Sequence, residues 1–168
     1  MRERAVYAHC IHFDDDDRAL MRDTGTAAAV SPTSNLFLGS GFFDYAGAER
    51  VGFRYGLASD VGGGTSFSPF HTMLAAYTAG REGETKQGLS LQPSHLWWLH
   101  TGGAARALGL EGVIGTLQAG TAGDFVLLNR RATPLLARKT ERALNLEELL
   151  FALIVLGADR VVEQTVIA

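Results

Sequence analysis

Apolar positions along this chain gather in short runs of strand length, each followed by a polar or small-residue stretch with helical spacing. "RAVYAHCIHF" (Arg4 to Phe13) carries Val, Ile and aromatics and reads as a strand. "DDDDRALMRDTG" then sets acids at a helix start, where the macrodipole favours them, and Gly25 where a helix can stop. "TAAAVSPTSN" reads as a buried strand running into a Pro-containing turn, and "FFDYAGAERVG" as a short helix ending at Gly52. A third strand spans Phe53 to Ser59, and "SPFHTMLAAYTAG" forms a helix from Pro69 to a stop at Gly80. The order β-α-β-α-β-α is that of a parallel sheet.

Past residue 90 the pattern changes. "QPSHLWWLHTGGAARALGL" reads as two helical pieces broken at Gly102-Gly103. "GVIGTLQAGTAGDFVLLNR" reads as strand, Gly-rich turn and strand, a hairpin or small β unit. "NLEELLFALIVLG" makes a last helix and "RVVEQTVIA" a last strand. "GREGETKQGLS" (Gly80 to Ser90) is the segment expected to form a surface loop. These readings divide the chain into an α/β part over 1–110 and a mixed part over 111–168.

Composition narrows the class. At 168 residues, 46% apolar and 20% charged, the chain has the make-up of a soluble globular domain. Net charge is −3 with scattered Lys and Arg, which gives no footprint for nucleic acid or a membrane surface. One cysteine, Cys10, excludes an internal disulfide framework and fits a reducing compartment. The N-terminus lacks the pattern of a signal peptide, and "LFALIVLG" is too short to span a bilayer, so a cytoplasmic location is expected.

The chemistry sits at the predicted strand ends. His9, Asn35 and Asp60 recur about 25 residues apart, each near the end of a strand, where α/β folds bind ligands. Asp60 precedes Gly62-Gly63-Gly64; it reads either as a turn or N-cap aspartate or as a carboxylate for a cation or a proton. His9 reads either as a core histidine or as a functional one, and His12 lies on the other side or in the loop. The glycine triplet lacks both the P-loop ending and the GxGxxG spacing. His71, His95 and His100 fall on helices as structural or surface residues, and Ser34 and Ser40 lack a hydrolase partner order.

"AHC", "SPTSNLFLGSGFFDYA", "GLASDVGGGTSFS", "GGAARALGL" and "IGTLQAGTAGDFVLL" together resemble the C-terminal half of guanine deaminases, in the metal-dependent amidohydrolase superfamily. The resemblance implies strands 6–8 of a distorted (β/α)8 TIM barrel and part of a small β domain. It implies hydrolysis of guanine to xanthine and ammonia with one zinc ion. Asp60 would bind the metal and take a proton from its water, His9 would lie beside that water, and Thr33, Ser34 and Asn35 would line the substrate site. The family's HxH and HxxE ligand motifs are not in this sequence. The expectation is therefore a fragment of such an enzyme, inactive without the missing N-terminal half of the barrel. The alternatives are a non-catalytic remnant, a self-associating module that forms a homo-oligomer, or a piece of another purine, pterin or triazine aminohydrolase.

Overall fold

The acidic run at the first turn is consumed by the fold. A computed structural model of the chain describes residues 4–83 and 88–168. In it Asp14 caps helix α1 (Asp15–Thr24), accepting from the Asp17 N–H while the Asp17 carboxylate accepts from the Asp14 N–H, and Gly25 closes the helix in the left-handed conformation. Asp15 pairs with Arg18 at 2.8 Å and with Arg50 at 2.6 Å, and the buried Arg18 reaches Asp44 at 3.2 Å. Asp44 in turn caps helix α3 (Tyr45–Val51) through the Gly47 N–H. The two helices are thus clamped along one side of the sheet.

That sheet has three parallel strands in sequence order: β1 (Val6–Ala8), β2 (Ala27–Val30) and β3 (Arg54–Leu57). Val6 pairs with Ala27 and Ala27 with Arg54, so the strands run in step. The central strand is nearly all alanine and buried. Helix α6 (Gly102–Ala107) comes so near β3 that a Cβ on Gly56 would lie 2.8 Å from the Ala104 Cα. Beside α3 the rings of Phe43, Tyr45, Phe53 and Tyr55 interlock, with centroids 4.9 Å apart for Phe43–Tyr45 and 5.5 Å for Phe43–Tyr55.

Helices α4 (Pro69–Glu82) and α5 (Pro93–His100) are gripped by α8 (Leu146–Leu156). Phe151 packs against Tyr77 with the rings tilted and their centroids 4.9 Å apart, the Trp97 indole N–H donates to the Leu150 carbonyl, and Glu147 accepts from the Ser94 N–H at the start of α5. Strands β4 (Phe125–Leu128) and β5 (Val162–Val166) form a separate antiparallel pair. Among the described residues no helix is long and apolar enough to cross a membrane.

Several expected elements differ. The first strand is three residues long because His9 and Cys10 take left-handed backbone angles that end it. Residues expected to turn at Pro32 form a short helix, α2 (Pro32–Phe37), with Pro at a position where the missing N–H is harmless. Helix α4 runs through Gly80 to Glu82 and is closed by Gly83. The break between α5 and α6 falls at Thr101. No strand forms at residues 113–114: the partner of β4 is the distant β5 in place of a local hairpin. An unexpected helix, α7 (Pro134–Thr140), is capped by the Thr133 hydroxyl. Of the expected loop at Gly80 to Ser90, residues 84–87 lie outside the described residues, and its base is closed by the Leu89 N–H on the Gly80 carbonyl.

One core group titrates with consequence. The His100 ring at the end of α5 is half-buried, its Nε2 is enclosed without a partner among the described residues, and burial lowers its pKa from 6.5 to about 4. A lowered histidine pKa means that the unfolded chain takes up the proton first as pH falls. Stability held above pH 6.5 is then lost towards pH 4, by up to about 3 kcal/mol. Denaturant titrations of wild type and His100→Asn should show wild type losing ground to the variant across that window. A constant difference between them contradicts the assignment.

Candidate active site

Because the three parallel strands run in step, the segments leaving them emerge side by side. His9 follows β1 directly, and its N–H still bonds the Ala29 carbonyl of β2. Ser31 follows β2 and starts α2, whose first turn carries Thr33, Ser34 and Asn35, all buried. Asp60 lies three residues beyond β3. The Thr33 hydroxyl ties α2 to the exit of β3 through the Ser59 carbonyl at 3.4 Å.

The side chains converge. His9 Nδ1 lies 2.9 Å from Asn35 Oδ1, and His9 Nε2 lies 3.8 Å from Asp60 Oδ2. The outer pair stays accessible, His9 at 39% and Asp60 at 41% side-chain exposure, whereas Asn35 is 3% exposed. So the five residues singled out in the sequence meet at one end of the sheet, with Asn35, Ser34 and Thr33 as floor and His9 and Asp60 at the mouth. His12 lies apart in an exposed turn.

Backbone strain concentrates here. Among the described residues the non-glycine positive φ angles are Arg4 (62°), His9 (65°), Cys10 (52°) and Asp60 (47°). Three of the four flank this site, each at a conformational cost on the order of 1 kcal/mol or more. The left-handed turns re-aim His9 and Asp60 from the strand direction towards each other. Histidine and aspartate are among the residues that tolerate this conformation best.

The glycine triplet has a specific geometric job. A Cβ on Gly63 would lie 2.9 Å from both Asp60 Oδ2 and Ser34 Oγ, and one on Gly64 would overlap the Ser59 carbonyl oxygen at 1.9 Å. Both Gly63 and Gly64 N–H groups turn back onto the Asp60 carbonyl. The loop therefore closes tightly on the aspartate itself. Within this floor Ser34 Oγ and Asn35 Nδ2 are buried and find no hydrogen-bond partner among the described residues. Two unspent donors beside an imidazole and a carboxylate are the features of a binding site. Cys10, buried with its thiol pKa raised to about 11, is held away from reactivity.

A carboxylate oxygen and an imidazole nitrogen are suitable donors for a divalent cation. They are two, where a catalytic zinc takes three protein ligands. Among the described residues no group of three or more His, Cys, Asp or Glu could hold a metal ion. Asp60 fits as one member of a ligand set that needs further donors.

A second polar cluster lies away from this end. Glu49 of α3 meets His95 of α5 at 3.2 Å and accepts from the Tyr55 hydroxyl, and the His95 hydrogen bond holds its carboxyl below the usual range. This cluster, which the sequence did not reveal, pins α3 and α5 to β3.

The amidohydrolase family model matches residues 1–168. The chain is 34% identical over 163 residues to guanine deaminase of Escherichia coli and 36% identical over 161 residues to probable guanine deaminase of Deinococcus radiodurans. These matches cover 97% and 96% of the chain and 36% of each relative, so the chain spans about a third of their length. The solved structure of E. coli guanine deaminase superposes with a TM-score of 0.90, covering 96% of this chain and 37% of that one. An adenosine deaminase from Xanthomonas campestris, solved with bound zinc, shares the fold at a TM-score of 0.83 and 21% identity, covering 99% of this chain and 36% of that one.

Gly63→Ala should displace the Asp60 carboxylate while changing global stability by no more than about 1 kcal/mol, since only side-chain atoms stand in the way. The His9 ring resonances report the displacement and denaturant melts the stability. Unchanged His9 resonances in the variant contradict this reading of the loop.

Proposed function

This chain belongs to the amidohydrolase family, and from that premise we propose that it supplies one side of the active site of a guanine deaminase. The observation that carries the proposal is the meeting of His9, Asn35 and Asp60 beyond three parallel strands, with His9 and Asp60 strained into line. The strands would be part of a (β/α)8 barrel, strands 6–8, and β4–β5 part of a small β domain. The overall reaction is guanine plus water to xanthine plus ammonia: water oxygen bonds to the amino-bearing ring carbon as the carbon–nitrogen bond breaks.

Zinc held at Asp60 and at donors from outside this chain would act as a Lewis acid that brings a water's pKa towards neutrality. Asp60 has two oxygens for two duties. One would ligate, and the other would take a proton from the attacking water and pass it to the departing amine, which leaves as ammonia. His9 Nε2, 3.8 Å away, would orient the same water. The unspent Ser34 Oγ and Asn35 Nδ2, with Thr33 beside them, would meet the purine's ring nitrogens and carbonyl. The missing N-terminal part of the barrel would supply the other ligands and the rest of the purine pocket.

A second reading has its own observation. Strand β1 pairs on one side only among the described residues, and its Val6 and Tyr7 are exposed. An open edge of this kind pairs readily with another chain, a route to self-association. Sedimentation of the purified chain distinguishes the two, since a stable dimer joined through β1 favours the binding-module reading.

With two donors, the 168-residue chain alone should retain no stoichiometric zinc after dialysis and form no xanthine. Zinc held one-to-one after dialysis contradicts the incomplete-site reading.

Fused behind the N-terminal part of its E. coli relative, the chain should deaminate guanine. In that enzyme Asp60→Asn should lose zinc along with at least the roughly 10²- to 10⁴-fold that a general base contributes. His9→Asn should slow turnover with zinc still bound. Metal analysis and steady-state kinetics decide, and an Asp60→Asn enzyme that keeps its zinc and most of its rate overturns the central assignment.

A further inference from the structure

We infer that Asn35 is a positioning residue for this site: it fixes His9 in the tautomer with its proton on Nδ1 and turns a bare Nε2 towards Asp60. The inference deepens the reading above and rests on it for its catalytic meaning, while the tautomer itself is measurable without catalysis.

The carbonyl oxygen of the Asn35 amide stands 2.9 Å from His9 Nδ1 and can only accept, so Nδ1–H donates. A neutral imidazole has one ring proton, which leaves Nε2 as an acceptor. Nε2 faces the Asp60 carboxylate, itself an acceptor, at 3.8 Å. That separation is too long for a direct hydrogen bond. Two acceptors across such a gap call for a donor between them, and a water with its two O–H groups satisfies both. The opposite tautomer would place an N–H against a carboxylate, a pairing that draws its partners to about 2.8 Å.

The Asn35 backbone is anchored on both sides. The residue is 3% exposed, its N–H bonds the Ser31 carbonyl in the first turn of α2, and its own carbonyl accepts from Ser40 at 2.9 Å. Pro32 stiffens the start of that turn. The ring it orients sits on a left-handed backbone whose N–H still bonds the Ala29 carbonyl of β2. The remaining amide donor, Nδ2, is enclosed and unspent among the described residues. One amide thus orders the imidazole with its oxygen and keeps a donor for a ligand.

The test is the ring-nitrogen spectrum of the full chain labelled with ¹⁵N-histidine, recorded well above the pH range in which imidazoles titrate. Wild-type His9 should show a protonated Nδ1 and a bare Nε2, in an excess of about tenfold, the worth of one net hydrogen bond. Asn35→Asp, which keeps an acceptor in place, should preserve that pattern. Asn35→Leu, which offers none, should lose the excess, with amide resonances of β2 and β3 showing that the fold persists. A wild-type His9 with its proton on Nε2 overturns the inference outright and reveals the reversed amide. So does an unchanged pattern in folded Asn35→Leu, and should that variant not fold, loss of the pattern in Asn35→Asp does the same. None of these outcomes bears on whether Asp60 holds zinc, so failure here and failure of the deaminase reading are told apart.

Discussion

Everything at the candidate site depends on three short strands pairing in parallel and in step. The ladder from Val6 through Ala27 to Arg54 fixes where each strand stops, and His9, the start of α2 and the Asp60 loop leave from that common level. A parallel ladder exposes its ends without closing them by hairpins, so each end can be spent on a functional loop. The alanines of β2 and Gly56 of β3 keep the layers close enough for α6 to press on the sheet. Precision at the mouth therefore begins with small residues in the middle.

Strain is the second half of the arrangement. Left to themselves, strands would carry His9 and Asp60 onward along parallel lines. Left-handed turns at both residues bring them to 3.8 Å, and the loop at Gly63 and Gly64 folds back on the Asp60 carbonyl to hold the turn. Such conformations persist only where the surroundings over-determine them. Here the surroundings are the Ser59 carbonyl gripped by Thr33 and the His9 ring gripped by Asn35.

The sequence made the periodic elements legible and hid what depends on contacts between distant residues. Helix α1 was readable because its cap, its acids and its Gly25 stop are all local signals. Helix α2 was not, since Ser, Pro, Thr, Ser and Asn all favour turns, and only burial against the sheet makes them helical. The false hairpin before β4 came from a glycine-rich stretch that suits a turn, whereas the true partner of β4 is supplied by β5 at the other end of the segment. At the site, residue types and spacing pointed to His9, Asn35 and Asp60. The bond between His9 and Asn35 joins residues 26 apart, and no local pattern encodes it. The triplet matched no nucleotide-loop spacing, and what it approaches, the Asp60 carboxylate and Ser34 hydroxyl, shows only in the folded chain.

The distribution of unsatisfied surface carries the argument further. Two buried polar atoms without a hydrogen-bond partner among the described residues, Ser34 Oγ and Asn35 Nδ2, lie together at the strand ends. Exposed apolar side chains lie on β1 (Val6, Tyr7), on β4 and β5 (Phe125, Val126, Leu127, Val162) and also around the site, on α2 and the Asp60 loop (Phe37, Leu38, Val61, Phe67). A small ligand could meet the polar atoms, and the open edge of β1 is of the kind that pairs with another strand. Under the proposed reading, polypeptide pairing with β1 would bring its strand end beside His9 and polypeptide pairing with β3 would bring its strand end beside Asp60, so that the remaining ligands could arrive from either edge of the ladder.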